Sequence, residues 1–257
     1  MWRFAGGLTT GTSHLKAGLP CQDRLLCACL PNGGFVAAVA DGAGSAMCAD
    51  RGAEIAVTTA VQSVRRAVDA STCDFARVLR EATVAANEAV LTVAREEGHG
   101  ARDFASTLLM AVATRSGGAA LQIGDGVIAV CDSSEGWSWV FWPMRGEYAN
   151  TTCFLTDEDA ISSLQVEVFA APPTDIALMS DGLEPLALHY ASKTAHAPFF
   201  DPLFRSLQAK EGNGEIVAIS EALESFLASP RVGERADDDL SLVIATRRPQ
   251  SSDGSWS

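Results

Sequence analysis

Phe35-Val36-Ala37-Ala38-Val39-Ala40-Asp41-Gly42-Ala43-Gly44-Ser45 decides the fold. Six apolar residues run without a break into a carboxylate, and glycines follow. That pattern predicts a short strand with Asp41 at its end. Upstream, residues 3–8 and 24–30 are two more short apolar stretches. Pro31-Asn32-Gly33-Gly34 lies between the second of them and Phe35 and predicts a hairpin turn.

Downstream the period changes. Ala53, Ala56, Val57, Ala60, Val61, Val64 and Val68 recur at three-and-four spacing, as do Phe75, Val78, Leu79, Ala82, Ala86, Ala89, Val90 and Val93. Both helical stripes are rich in Ala and can lie close to whatever covers them. Strand signals return at 107–114, 119–123 and 127–131, with an alternating aromatic segment at 137–142. A buried strand is expected at 175–180, a helix start near Gly182, a helix at 216–227 and a last strand at 240–245. Residues 156–173 and 193–201 read as irregular. The second, running into Pro202, is a candidate flap or partner-docking loop. The order β, αα, βββ, α, β predicts a layered α+β domain with helices outside the sheets.

The 257 residues suit one large domain, taken as 1–247, with a Ser- and Pro-bearing flexible tail at 248–257. A chain this long buries enough apolar surface to need no structural metal. The net charge of -13 disfavours nucleic acid and anionic membranes as partners. Seven scattered cysteines with no Cys-x-x-Cys pair read as buried small apolar side chains in a reducing compartment. With no signal-peptide pattern and no uninterrupted membrane-spanning run, a cytoplasmic location is expected.

Aspartates mark the strand ends. Asp41, Asp125 and Asp181 each close an apolar run and precede a glycine, while Asp23 and Asp238 lead into runs. Ionised carboxylates at the edge of an apolar layer are costly unless a cation or donors neutralise them. Mg²⁺ and Mn²⁺ prefer such oxygen ligands, and a glycine exposes its carbonyl as one more. Any single Asp-Gly is more often a plain turn than a ligand; the ordered set is what carries weight.

That set resembles the metal-dependent protein phosphatases of type 2C. The motifs are Gln22-Asp23, Asp41-Gly42-Ala43-Gly44, Ser106-Thr107-Leu108, Gly124-Asp125-Gly126, Ser180-Asp181-Gly182 and Asp238-Asp239-Leu240-Ser241, in the family's order. A bacterial branch is resembled more closely through Gly11-Thr12-Ser13-His14, Asp41-Gly42-Ala43-Gly44-Ser45 and Gly146-Glu147-Tyr148-Ala149-Asn150-Thr151-Thr152. The resemblance implies a four-layer αββα sandwich, two antiparallel sheets flanked by helix pairs. It implies two Mg²⁺ or Mn²⁺ ions bridged by Asp41. Asp181 and Asp238 complete one ion and the Gly42 carbonyl serves the other; Asp23 sits beside the second, and Asp125 belongs to a weaker third. The implied nucleophile is a metal-bound hydroxide, with no phosphoenzyme and no catalytic cysteine.

The implied substrate is a phosphorylated protein, the implied partner a cognate serine/threonine kinase or its target, and a monomer is expected. Many relatives carry an arginine five residues before the Asp23 position; here it is Gly18. His14 or Lys16 is the candidate replacement, and His14 is also a candidate general acid. Asp239 stands where Asn is usual. Arg24 and Arg51 are further phosphate candidates, with surface salt bridges the plainer expectation. A catalytically silent module that binds phosphoproteins is the alternative, and an unrelated hydrolase of small phosphoesters a third.

Overall fold

The computed structural model describes residues 1–68, 74–132, 136–142 and 152–247. Cys73, the 146–151 part of the bacterial-branch motif and the expected tail at 248–257 lie outside them. The elements run β1 (Trp2–Thr9), α1 (Thr12–Ala17), β2 (Arg24–Cys29), β3 (Phe35–Ala40), α2 (Ala49–Ala67), α3 (Phe75–Glu96), β4 (Leu108–Ala113), β5 (Gly118–Ile123), β6 (Val127–Asp132) and β7 (Gly136–Trp139). They continue through α4 (Ala160–Ser163), β8 (Gln165–Phe169), β9 (Asp175–Met179), α5 (Glu184–Ala187), β10 (Leu188–His189), β11 (Thr194–Ala195), α6 (Ala197–Gln208), β12 (Gly214–Glu215), α7 (Val217–Leu227), α8 (Pro230–Gly233) and β13 (Leu240–Arg247).

One sheet has the order β2-β3-β4-β5-β8 and is antiparallel throughout. The other, β12-β1-β13-β9-β6-β7, departs from the expected antiparallel sheet at one edge, where β12 pairs parallel with β1. The alternation of side chains along each strand sorts the core into layers. On β3, Phe35, Ala37 and Val39 face the space between the sheets, meeting Ile176, Leu178, Val243 and Ala245. Val36, Ala38 and Ala40 face α2 and α3. On β13, Leu242 and Ile244 turn the other way, toward Phe200 and Phe204 of α6 and Leu223 of α7. Helix pair, sheet, sheet, helix pair is the four-layer sandwich.

The elements obey local chemistry. Asp74 caps α3 by accepting the Arg77 N–H. In the first hairpin, Gly33 takes φ 77°, which glycine adopts without strain. Two expected loops are elements instead. Residues 156–173 contain β8, the edge strand of the five-stranded sheet. Residues 193–202 are not irregular: they form β11 and the first half of α6, and Phe199, Phe200 and Phe204 are buried. The aromatic segment packs on that helix, with the Trp137 ring centroid 4.4 Å from that of Phe200. Trp137 Nε1–H donates to Asp201. The cysteines are less enclosed than expected: of the six described, all free, Cys29 is exposed and the others are partly buried. Among the described residues no helix is long and apolar enough to cross a membrane.

Candidate metal centre

The aspartates gather at the end of the sandwich where strand ends of both sheets meet. Asp41 leaves β3 and Asp23 enters β2 from one sheet; Asp181 leaves β9 and Asp238 enters β13 from the other. The 41–44 loop is pinned from behind: the Asp41 N–H donates to Thr107 Oγ1 at 2.9 Å, Thr107 N–H to the Asp41 carbonyl at 2.8 Å, and Ala43 N–H to Ala105 at 2.9 Å. Gly42 is there for space. A Cβ on it would stand 2.8 Å from the Gln22 carbonyl oxygen and 2.9 Å from the Ala49 Cβ, so only glycine lets this loop approach the segment entering Asp23.

Electrostatics tie the carboxylates together. Asp41 lies well above the usual carboxylate range, first through burial and then through Asp23, Asp181 and Asp238. Burial raises Asp181 too, and Asp125 and Asp238 add to it. Asp23 is fully buried, and loss of water pushes its carboxyl to about 7, moderated by the nearby Ser180 and Ser241 hydroxyls. Even so, neither Asp23 oxygen meets a donor in good hydrogen-bond geometry, and Asp181 Oδ1 is orphaned as well. Buried carboxylate oxygens left without donors are what a hard cation satisfies, so the residues fit divalent metal.

The remaining predicted positions differ in burial and in partners. Asp125 is half-buried, and its Oδ2 accepts the Thr152 hydroxyl at 2.7 Å. Asp238 is exposed and caps the Asp239 N–H. His14 is buried on α1 and contacts Asp239; Lys16, on the same helix, is exposed and makes no ion pair among the described residues. Arg24 pairs with Asp50 and Glu54, and Arg51 with Glu97, so both are engaged elsewhere. Burial and the nearby Asp23 and Asp239 push the Cys21 thiol up to about 12, in keeping with no nucleophilic role.

Among the described residues, the trio of potential ligand atoms drawn within 4.8 Å of one another is Cys153, Asp157 and Asp159. Local bonds already account for it: Asp157 accepts the Phe154 N–H at 2.7 Å and Cys153 Sγ faces Ser163 at 3.1 Å.

Over residues 10–228 the sequence matches the profile of the family described as Protein phosphatase 2C. The chain belongs to the protein phosphatase 2C family. It is 37% identical over 255 residues to Serine/threonine-protein phosphatase 3 of Escherichia coli (strain K12), covering 95% of this chain and 98% of that one. The fold is shared with Serine/threonine phosphatase Stp1 from Staphylococcus aureus (TM-score 0.66, 15% identity, 97% and 96% of the two chains). It is shared also with the catalytic domain of the serine threonine protein phosphatase PstP, solved with two manganese ions (TM-score 0.64, 19% identity, 95% and 97%).

Sequence reasoning missed the contacts of Asp239, whose carboxylate meets Gly11, His14 and Gln22. The signal was present as two departures, Gly18 in place of arginine and Asp239 in place of Asn. Nothing in the sequence said that the loop carrying the first would touch the second.

Proposed function

We propose that this family member removes phosphate from phosphoserine and phosphothreonine in proteins, using divalent cations held by Asp41, Asp181, Asp238, the Gly42 carbonyl and Asp23. The observation that carries the reading is Asp41, raised first by burial and then by the acids Asp23, Asp181 and Asp238 around it, beside buried carboxylate oxygens without a hydrogen-bond partner. Asp41, Asp181, Asp238, the Gly42 carbonyl and Asp23 would hold two such ions and Asp125 a weaker third, either Mg²⁺ or Mn²⁺ being suited to oxygen ligands. Bound there, such ions supply Lewis acidity to the phosphoryl group and make water acidic enough to attack near neutral pH.

The chain's own residues do the rest. Thr107 and Ala105 hold the Asp41 loop still. Thr152 orients Asp125. His14 and Lys16, both on α1, are the groups offered to the phosphate and its leaving oxygen in place of the missing arginine. Residues 1–247 act as one phosphatase domain, a monomer in the cytoplasm, opposing a serine/threonine kinase.

The test is hydrolysis of para-nitrophenyl phosphate and a phosphothreonine peptide with Mn²⁺, with and without chelator. Activity is expected to need the metal and to fall about 100-fold or more in Asp181→Ala. Turnover that survives both chelation and Asp181→Ala rules the reading out.

A further inference from the structure

We infer that Asp239 is a positioning residue that holds His14 with its Nδ1 protonated and its Nε2 turned to the aspartate cluster, where His14 gives a proton to the leaving oxygen of the phosphorylated side chain. The inference rests on the phosphatase reading above.

Asp239 is 2% exposed and receives three contacts. Its Oδ1 accepts the Gly11 N–H at 2.7 Å, and its Oδ2 accepts the Gln22 N–H at 2.5 Å and faces His14 Nδ1 at 2.8 Å. Two of these partners are backbone N–H groups, which can only donate. The carboxylate is therefore the acceptor at this junction, and the proton sits on Nδ1. Nε2 is left as the ring's working atom. It lies 3.6 Å from where a Cβ on Gly44 would stand, in the loop that starts at Asp41. The ring is thus bracketed by three segments, each carrying a proposed ligand: Asp238 precedes Asp239, Asp23 follows Gln22, and Asp41 precedes Gly44.

The backbone is shaped to bring these groups together. A Cβ on Gly11 would stand 2.2 Å from the Asp238 carbonyl carbon, so only glycine allows α1 to press onto this loop. Ser13 adds two bonds to the Asp237 carbonyl, from its N–H at 2.9 Å and its hydroxyl at 2.7 Å. An Asn at 239 has one acceptor oxygen: kept on Gly11, it leaves its amide N–H groups facing the Gln22 N–H and Nδ1 and favours the opposite tautomer. The carboxylate supplies the second acceptor that Gln22 and His14 share.

The step balances. His14 reacts as the imidazolium, with a proton on each ring nitrogen: as the P–O bond breaks, its electron pair goes to the serine or threonine oxygen, which takes the Nε2 proton and leaves as the alcohol, and the neutral ring keeps the Nδ1 proton that Asp239 holds. The attacking water leaves its hydroxyl on phosphorus and its other proton in solvent, and the imidazole takes a proton back from solvent. A serine alkoxide is a poor leaving group and needs this proton, whereas para-nitrophenolate leaves readily without it.

Asp239→Asn, nearly isosteric, is the informative variant. Long-range ¹H–¹⁵N NMR of the metal-free protein, with the signal assigned by His14→Gln, should find His14 as the Nδ1–H tautomer in the wild type and shifted toward Nε2–H in the variant. With Mn²⁺, the ratio of kcat/KM for para-nitrophenyl phosphate to that for a phosphoserine peptide should rise about 10- to 100-fold, mostly in kcat for the peptide. Asp239→Asn/His14→Gln should lose no more than His14→Gln. Equal losses on both substrates, a loss confined to KM, or an unmoved tautomer would overturn the inference. A wild type inactive on both substrates would instead sink the phosphatase reading, and the tautomer measurement would still stand by itself.

Discussion

Asp41 and Asp181 compete for a proton in the ion-free protein. Both carboxyls are raised, first by burial and then by the acids around them. Asn at position 41 keeps the shape of the side chain while removing one of these crowded charges. Asp41→Asn is therefore expected to cost at least about 100-fold in turnover. In chelator it should raise the melting temperature by about 2–8 °C, for a gain of about 1–2 kcal/mol. Calorimetry of the metal-free variant against wild type decides it, and a lower melting temperature would mean that Asp41 is not under electrostatic strain. The carboxylates themselves were legible in the sequence, because an acid closing an apolar run is conspicuous. The His14–Asp239 contact was not, since its partners stand 225 positions apart.

At the scale of elements, pattern succeeded where one side of an element is apolar and failed where burial is irregular. β3, α3 and α7 were legible because their periods are clean. β8 escaped notice because it is an edge strand with Val168 exposed. α6 escaped because Pro198 and Pro202 lie within a helix whose core face is three phenylalanines crowded into six positions. Pro198 sits in its first turn, where the missing N–H costs little. The far end is closed by tertiary contact: the Arg3 guanidinium on β1 donates to the carbonyls of Leu207, Gln208 and Lys210. Gln208 in turn donates to Asp175 at 3.1 Å. A buried charged donor on helix-terminal carbonyls is worth more than an ordinary hydrogen bond. Arg3→Met should thus lower stability by about 1–3 kcal/mol in urea unfolding, with kcat on a phosphopeptide nearly kept. Phe200→Ala, which empties the stack under Trp137, should cost about 3–5 kcal/mol. If Arg3→Met is neutral, that latch contributes nothing.

Across the whole molecule, the proposed ligands hang from different sheets. Asp23 and Asp41 belong to the five-stranded sheet and Asp181 and Asp238 to the six-stranded one, so their repulsion opposes the sheet-to-sheet core of Trp2, Phe35, Leu109 and Val243. The consequence for pH has a definite sign. Asp23 titrates at about 7 in the folded protein against an ordinary 3.8. Below about pH 4 both states hold the proton and folding bears no cost. Between there and about pH 7 the unfolded chain releases a proton that the folded one retains, so rising pH favours unfolding. Above that the cost is complete, on the order of 4 kcal/mol for this group. A divalent ion that binds only the folded state offsets it by mass action. The urea midpoint of the chelated protein should therefore fall from pH 5 to pH 8, and millimolar Mn²⁺ should remove most of the fall. Surface charge adds to the same trend in a protein of net charge -13, but salt screens that part and leaves the buried part. In high salt the slope should persist in wild type and flatten in Asp23→Asn. A wild-type midpoint that stays level from pH 5 to pH 8 in chelator would mean that these carboxylates, though gathered, do not strain the fold in the way an ion-binding site built across two sheets requires.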